Sequence, residues 1–198
     1  MSGSTLILCG HKSSGKTYFG RLFAQEIGTI FIDTDQLTEE LYTRECQENL
    51  SCREIVLKMG EDGFRILESR VINSLDGVTN AVVSVGGGAV LSPENCCKLQ
   101  KLGVLVYLEQ SKEIIKQRIF NGAIPTFLDP SDLECNLECA IDAMYEERKP
   151  IYTKVSTVTV NIQGKTDRQV LDELFVFNSL YAKNHQFILN LADARCEP

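Results

Sequence analysis

Eight residues, GHKSSGKT from Gly10 to Thr17, constrain this chain more than any other stretch. They follow an apolar run, Thr5 to Cys9, that reads as a strand, and they open a helix-patterned segment reaching to about Ile27. G-x-x-x-x-G-K-[ST] between a strand and a helix is the pattern of a phosphate-binding loop. Glycines let the backbone curl so that successive N–H groups point inward at phosphate oxygens, and the helix N-terminus adds its positive dipole. Lys16 is then expected on the β- and γ-phosphates of a nucleotide, and the Thr17 hydroxyl on Mg²⁺.

The rest of the chain alternates short β-rich runs with amphipathic stretches, as βα units around a mostly parallel sheet require. Further strands are expected at Ile30 to Asp33, Ala81 to Val85, Val104 to Leu108 and Val155 to Val160. Ser51 and Glu54 have capping-box spacing, and Ile55, Met59, Ile66, Leu67 and Ile72 supply helical periodicity, with two helices meeting near Gly60. Ser92-Pro93 starts another helix, one runs from Ser111 to about Arg118, and Leu137, Ile141, Met144 and Tyr145 recur at helical spacing. Asp167 to about Leu180 closes the domain. The turn-rich segment 121–132 reads as a mobile lid, 1–180 as a single domain, and 181–198 as an extension without an assigned role.

The net charge of -7, with no lysine or arginine run, argues against nucleic acid as a partner. No apolar run approaches the roughly 20 residues needed to cross a bilayer, and MSGSTLILCG lacks the features of a signal peptide. The expectation is a cytoplasmic monomer. Eight scattered cysteines then read as free thiols, and Cys135 and Cys139 lack the second pair that a zinc site needs.

Asp33-Thr34-Asp35 ends the second strand, at the sheet edge where ligands of open α/β folds bind. One carboxylate beside a triphosphate can hold the metal's water shell while the other receives a proton from an attacking hydroxyl. Asp35 equally suits a plain helix cap. Gly86, Gly87 and Gly88 follow a buried strand where backbone must come close to a ligand. Arg65 and Arg148 sit in helices with apolar faces; an inward-turned arginine there needs an anionic partner, though each alone is more often a surface residue.

Taken in order, GHKSSGKT, Asp33-Thr34-Asp35, GEDGFRILE at Gly60 to Glu68, VVSVGGG at Val82 to Gly88 and ERKPIY at Glu147 to Tyr152 resemble the shikimate kinase family over roughly residues 4 to 177. The resemblance implies an α/β, three-layer P-loop NTPase-type fold, its five-stranded parallel sheet ordered 2-3-1-4-5. It also implies phosphoryl transfer from MgATP to the 3-hydroxyl of shikimate. By that likeness ATP contacts Lys12, Ser13, Ser14, Gly15, Lys16, Thr17 and Tyr18, with Arg118 against the adenine. Thr17 and Asp33 serve the metal, Lys16 and Asp35 the chemistry. Arg65 and Arg148 clamp the substrate carboxylate, Glu68 orients Arg65, and Gly86, Gly87 and Gly88 meet the ring hydroxyls.

Two positions depart from the family pattern. Ile124 stands where an arginine usually precedes Pro125, with Thr126 and Phe127 in place of paired leucines, and Val56 replaces an aromatic residue near the substrate ring. Loss of that arginine requires another cation, for which Lys12 is the candidate, or else implies a less effective lid or weak catalysis. A gluconate kinase of the same fold, or an ATP-binding protein without turnover, are the competing readings.

Overall fold

The computed structural model describes residues 5–122 and 137–183. Five strands, β1 (Thr5–Cys9), β2 (Ile30–Asp33), β3 (Ala81–Ser84), β4 (Gly103–Glu109) and β5 (Val158–Asn161), form one sheet in the order β2-β3-β1-β4-β5. Every pairing is parallel. β1 is central: Leu6 lies opposite Val82 and Val104, and Ile7 opposite Val83 and Leu105.

Helices α1 (Lys16–Ile27), α2 (Thr34–Cys46), α3 (Cys52–Ser74), α4 (Pro93–Leu102), α5 (Lys112–Phe120), α6 (Leu137–Val155) and α7 (Asp167–Lys183) complete the described elements. The side-chain period of two sorts β1 between two cores. Leu6 and Leu8 join Phe19 and Phe23 of α1 and Val170 and Leu174 of α7. Ile7 and Cys9 join Ile72 of α3, Leu99 of α4 and Tyr152 of α6 on the opposite face. A strand buried on both faces is largely apolar, as TLILC is apart from Thr5, whose hydroxyl donates to Val78 O at 3.3 Å. Truncating Phe23, which is fully buried, to alanine is expected to cost about 3–5 kcal/mol.

Several local expectations are corrected. α3 does not present Met59 and Ile66 inward; both are exposed. Gly60, at φ 77° and ψ 169°, breaks the helical path, and beyond it the buried row is Phe64, Leu67, Glu68, Val71 and Ile72. The kink resets the phase, so one periodicity cannot run through it. The fifth strand begins at Val158 rather than Val155, because α6 continues to Val155 and the Ser156 amide still donates to the Tyr152 carbonyl at 3.1 Å. The third strand stops at Ser84, after which the Val85 amide donates to Leu8 O.

Cys9, Cys46, Cys52, Cys96 and Cys139 are free thiols, but Cys97 is disulfide-bonded. The expectation of free thiols rested on scattered spacing and on compartment, neither of which says which sulfurs a fold brings together. The lid expected over 121–132 falls, from residue 123 onward, outside the described residues, as does the extension from 184. No helix among the described residues is long and apolar enough to cross a membrane.

Candidate active site

The loop after β1 is shaped around Lys16. Gly15 takes φ 101°, a left-handed conformation that costs most residues energy but not glycine, and so turns the chain into α1. The Lys16 ammonium is buried and donates to the carbonyls of Gly10 (3.0 Å) and His11 (2.8 Å), holding the loop closed. Burial lowers its pKa and the carboxylates of Asp35 and Asp33 oppose that shift. Ser14 faces inward: its side chain is fully buried, its hydroxyl has no partner among the described residues, and its amide donates to His11 O at 3.2 Å.

His11 is the loop residue that sequence reasoning missed. Its ring is fully buried, stacks on Tyr145 at 4.5 Å and meets Tyr152 edge-on at 4.7 Å. Burial, then the nearby charges of Lys16, Arg148 and Lys149, push its pKa down to about 3, so the imidazole is neutral. It anchors the loop to α6 by shape rather than by hydrogen bonds, since neither ring nitrogen has a partner among the described residues. The Tyr152 hydroxyl donates to Gly87 O at 2.5 Å, which links that aromatic cluster to the triple glycine.

The two aspartates after β2 have separated roles. Asp33, not Asp35, is the N-cap of α2: its Oδ1 accepts from the Asp35 amide at 3.0 Å. Its Oδ2 accepts from the Thr17 hydroxyl at 2.9 Å, which puts two oxygen donors side by side at the mouth of the phosphate loop. Asp35 thus keeps its carboxylate for the cleft. Solvent reaches it there, but protein atoms crowd it: a Cβ on Gly86 would lie 2.6 Å from Asp35 Oδ1 and 2.8 Å from Glu68 Oε1. Desolvation, then Asp33, raise its pKa above the ordinary 3.8, while Lys16 and Lys12 act the other way.

Arg65 projects from α3 and donates to Glu68 Oε2 at 2.8 Å and to Glu61 Oε1 at 3.1 Å. Glu68 lies in the buried row of the helix, 2% exposed, and its other oxygen has no hydrogen-bond partner among the described residues. Burial raises its pKa against the pull of Arg65. Gly88 exists for this guanidinium, because a Cβ there would collide with Nη2, Cζ and Nη1 of Arg65. Gly88→Ala is therefore expected to swing Arg65 aside. The obstructed group is the far end of a flexible side chain, so the fold survives, whereas the KM for an anionic acceptor rises about 10- to 100-fold, the loss of one charged hydrogen bond. Steady-state kinetics beside a melting curve checks this.

These groups line one cleft of about 480 Å³. Lys12, Ser13, Gly15, Lys16, Thr17 and Tyr18 of the glycine loop and the start of α1, with Arg118 of α5, form one side of it, and Asp35, Arg65, Gly86, Gly87, Gly88 and Arg148 line the remainder. Asp33 and Ser14 do not line it directly. Arg118 reaches back from α5 to donate to Ser13 O at 2.8 Å, and with Gly15 and Tyr18 also borders a neighbouring hollow that includes Gln110, Gln163 and Asp167. Cys52 and Phe64 line the cleft without having been anticipated. Phe64 packs under Arg65, 5.5 Å from ring centroid to guanidinium carbon, and brings an aromatic face to the cleft although Val56 packs into the cluster behind it. No group of three metal-ligating side chains occurs among the described residues.

A family model described as shikimate kinase matches residues 12–178. Among curated proteins, the shikimate kinase of Syntrophus aciditrophicus is 33% identical over 177 residues, covering 85% of this chain and 88% of that one. Among solved structures, shikimate kinase from Acinetobacter baumannii in complex with shikimate superposes with a TM-score of 0.74 at 27% identity, covering 87% of this chain and 90% of that one. A gluconokinase from Sinorhizobium meliloti, at 19% identity and a TM-score of 0.57 over 93% and 97% of the two chains, shares the fold.

Proposed function

Because the chain belongs to the shikimate kinase family, we propose that it transfers the γ-phosphoryl group of ATP to the 3-hydroxyl of shikimate. One observation carries this reading: Arg65 and Arg148 line the same cleft as Lys16 and Asp35, so that a carboxylate held by guanidinium groups has its ring hydroxyls within range of a base and a phosphate cradle. A neutral sugar has no use for such a pair of arginines.

In this mechanism the loop amides and Lys16 hold the phosphates, Arg118 and Tyr18 border the nucleoside, and the Gly86 to Gly88 backbone meets the acceptor ring. The Asp35 carboxylate accepts the proton of the 3-hydroxyl as its oxygen bonds to the γ-phosphorus; the bond to the β-phosphate oxygen breaks and its electron pair leaves with ADP. The hydrogen-bonded Thr17 hydroxyl and Asp33 carboxylate fit Mg²⁺, which prefers oxygen ligands and fills its shell with phosphate and water rather than a cage of side chains. Bound there, Mg²⁺ would supply positive charge against the nucleotide's phosphates. The same reading has the enzyme work as a cytoplasmic monomer.

Release of ADP coupled to shikimate, with gluconate and nucleoside monophosphates as competing acceptors, tests this. Turnover with shikimate alone is the expected result. Transfer to gluconate and none to shikimate rejects the assignment, and tight binding of both substrates without ADP release identifies a protein that binds but does not react.

A further inference from the structure

A phosphoryl group in transfer spreads negative charge over oxygens that are leaving the nucleotide for the acceptor, and a cation on that path lowers the barrier. This chain distributes its cations unevenly. From Ile119 to Glu147 the sequence contains no lysine, arginine or histidine, so the 29 residues between Arg118 and Arg148 bring no positive side chain to the reaction.

The cations lining the cleft differ in how they are engaged. Lys16 is tied to two loop carbonyls, Arg118 to Ser13 O, and Arg65 to Glu61 and Glu68. The Lys12 side chain makes no hydrogen bond or ion pair among the described residues. Its backbone nitrogen lies 3.2 Å from where a Cβ on Gly87 would stand, which sets the residue at the seam between the phosphate loop and the triple glycine. Its charge is felt at Lys16 on the nucleotide side and at Asp35 and Cys52 on the other.

From this placement we propose that Lys12 is a catalytic residue, the cation that meets the phosphoryl group between the two substrates. The assignment rests on the phosphoryl-transfer reading above. Lys12 supplies charge, while the hydroxyl proton passes to Asp35 and the electron pair leaves on ADP. A ground-state phosphate clamp would act through ATP affinity, whereas a cation aimed at the migrating group acts through kcat.

The test uses the full chain and its Lys12→Gln and Lys12→Arg variants. Lys12→Gln is expected to lower kcat about 100-fold or more, with the Kd of MgATP and of shikimate held within about threefold. Lys12→Arg is expected to recover at least about tenfold of that loss, since the positive charge returns. Binding of MgADP with aluminium fluoride, measured with and without shikimate, gives a second readout that needs no turnover. Lys12→Gln should weaken the fluoroaluminate complex and leave MgADP alone unchanged. A Lys12→Gln enzyme within about threefold of the native kcat, a loss confined to MgATP affinity, or undiminished fluoroaluminate binding each overturns the proposal. A native chain inactive on shikimate instead rejects the functional reading, and the fluoroaluminate measurement then still decides Lys12.

Discussion

Asp35→Asn lowers kcat for shikimate by about two to four orders of magnitude, the usual contribution of a positioned general base, while both substrates still bind. The amide keeps the shape of the carboxylate but cannot take up the hydroxyl proton. The raised pKa of Asp35, set by desolvation and Asp33, sharpens the expectation. The native enzyme needs the ionised form, so the acid limb of its kcat lies above pH 3.8, the ordinary aspartate value, and Asp35→Asn removes that limb. Stability should move the opposite way. A carboxyl group whose folded pKa is raised favours the fold at low pH and loses that contribution as pH rises through the folded value. The Asn variant therefore melts slightly higher than the native protein at neutral pH, and the difference closes below about pH 3.8. The gain is small, because solvent reaches the cleft. Full activity in Asp35→Asn would remove the residue from the mechanism.

Arg65→Met has the other large effect, and it falls on two properties at once. Shikimate affinity drops by about 30-fold to several thousand-fold, the cost of about 2–5 kcal/mol for removing one partner of a hydrogen-bonded charge pair. Stability drops as well, by about 1–3 kcal/mol, because Glu68 is left buried without its cation. The variant Arg65→Met/Glu68→Gln separates the two: it regains most of the melting temperature and none of the affinity. The stability loss in Arg65→Met also shrinks as pH falls, since burial already raises the Glu68 pKa and protonation removes the unpaired charge. Unchanged shikimate affinity in Arg65→Met would mean the guanidinium does not grip the acceptor.

The parts of the fold that sequence made legible are those where local and global demands agree. TLILC followed by GHKSSGKT permits little besides a central strand, a phosphate loop and a helix, and β2 ends at Asp33 as its pattern required. The capping box at Ser51 and the Ser92-Pro93 start are equally local signals, fixed by bonds within one turn. What sequence left hidden depends on distant neighbours or on a change of phase. Two helices do meet at Gly60, as expected, but Met59 and Ile66 looked inward because a single apolar row was carried across the junction. His11 carried no signal of its own; only the return of α6, with Tyr145 and Tyr152, reveals why an aromatic ring stands in the loop. Phe64 was invisible as a cleft residue for the same reason. The pattern alone left Asp35 equally suited to capping α2, whereas the backbone puts that cap on Asp33.

The position of β1 between β3 and β4 carries a consequence for biosynthesis. Its partners begin at Ala81 and Gly103, so β1 waits for about a hundred further residues before both of its edges are satisfied, and contacts so far apart in sequence form slowly. A nucleotide therefore has no cradle to enter on the nascent chain. Once the sheet has closed, however, ATP binds only the finished form and adds its binding energy to the native side of the folding equilibrium.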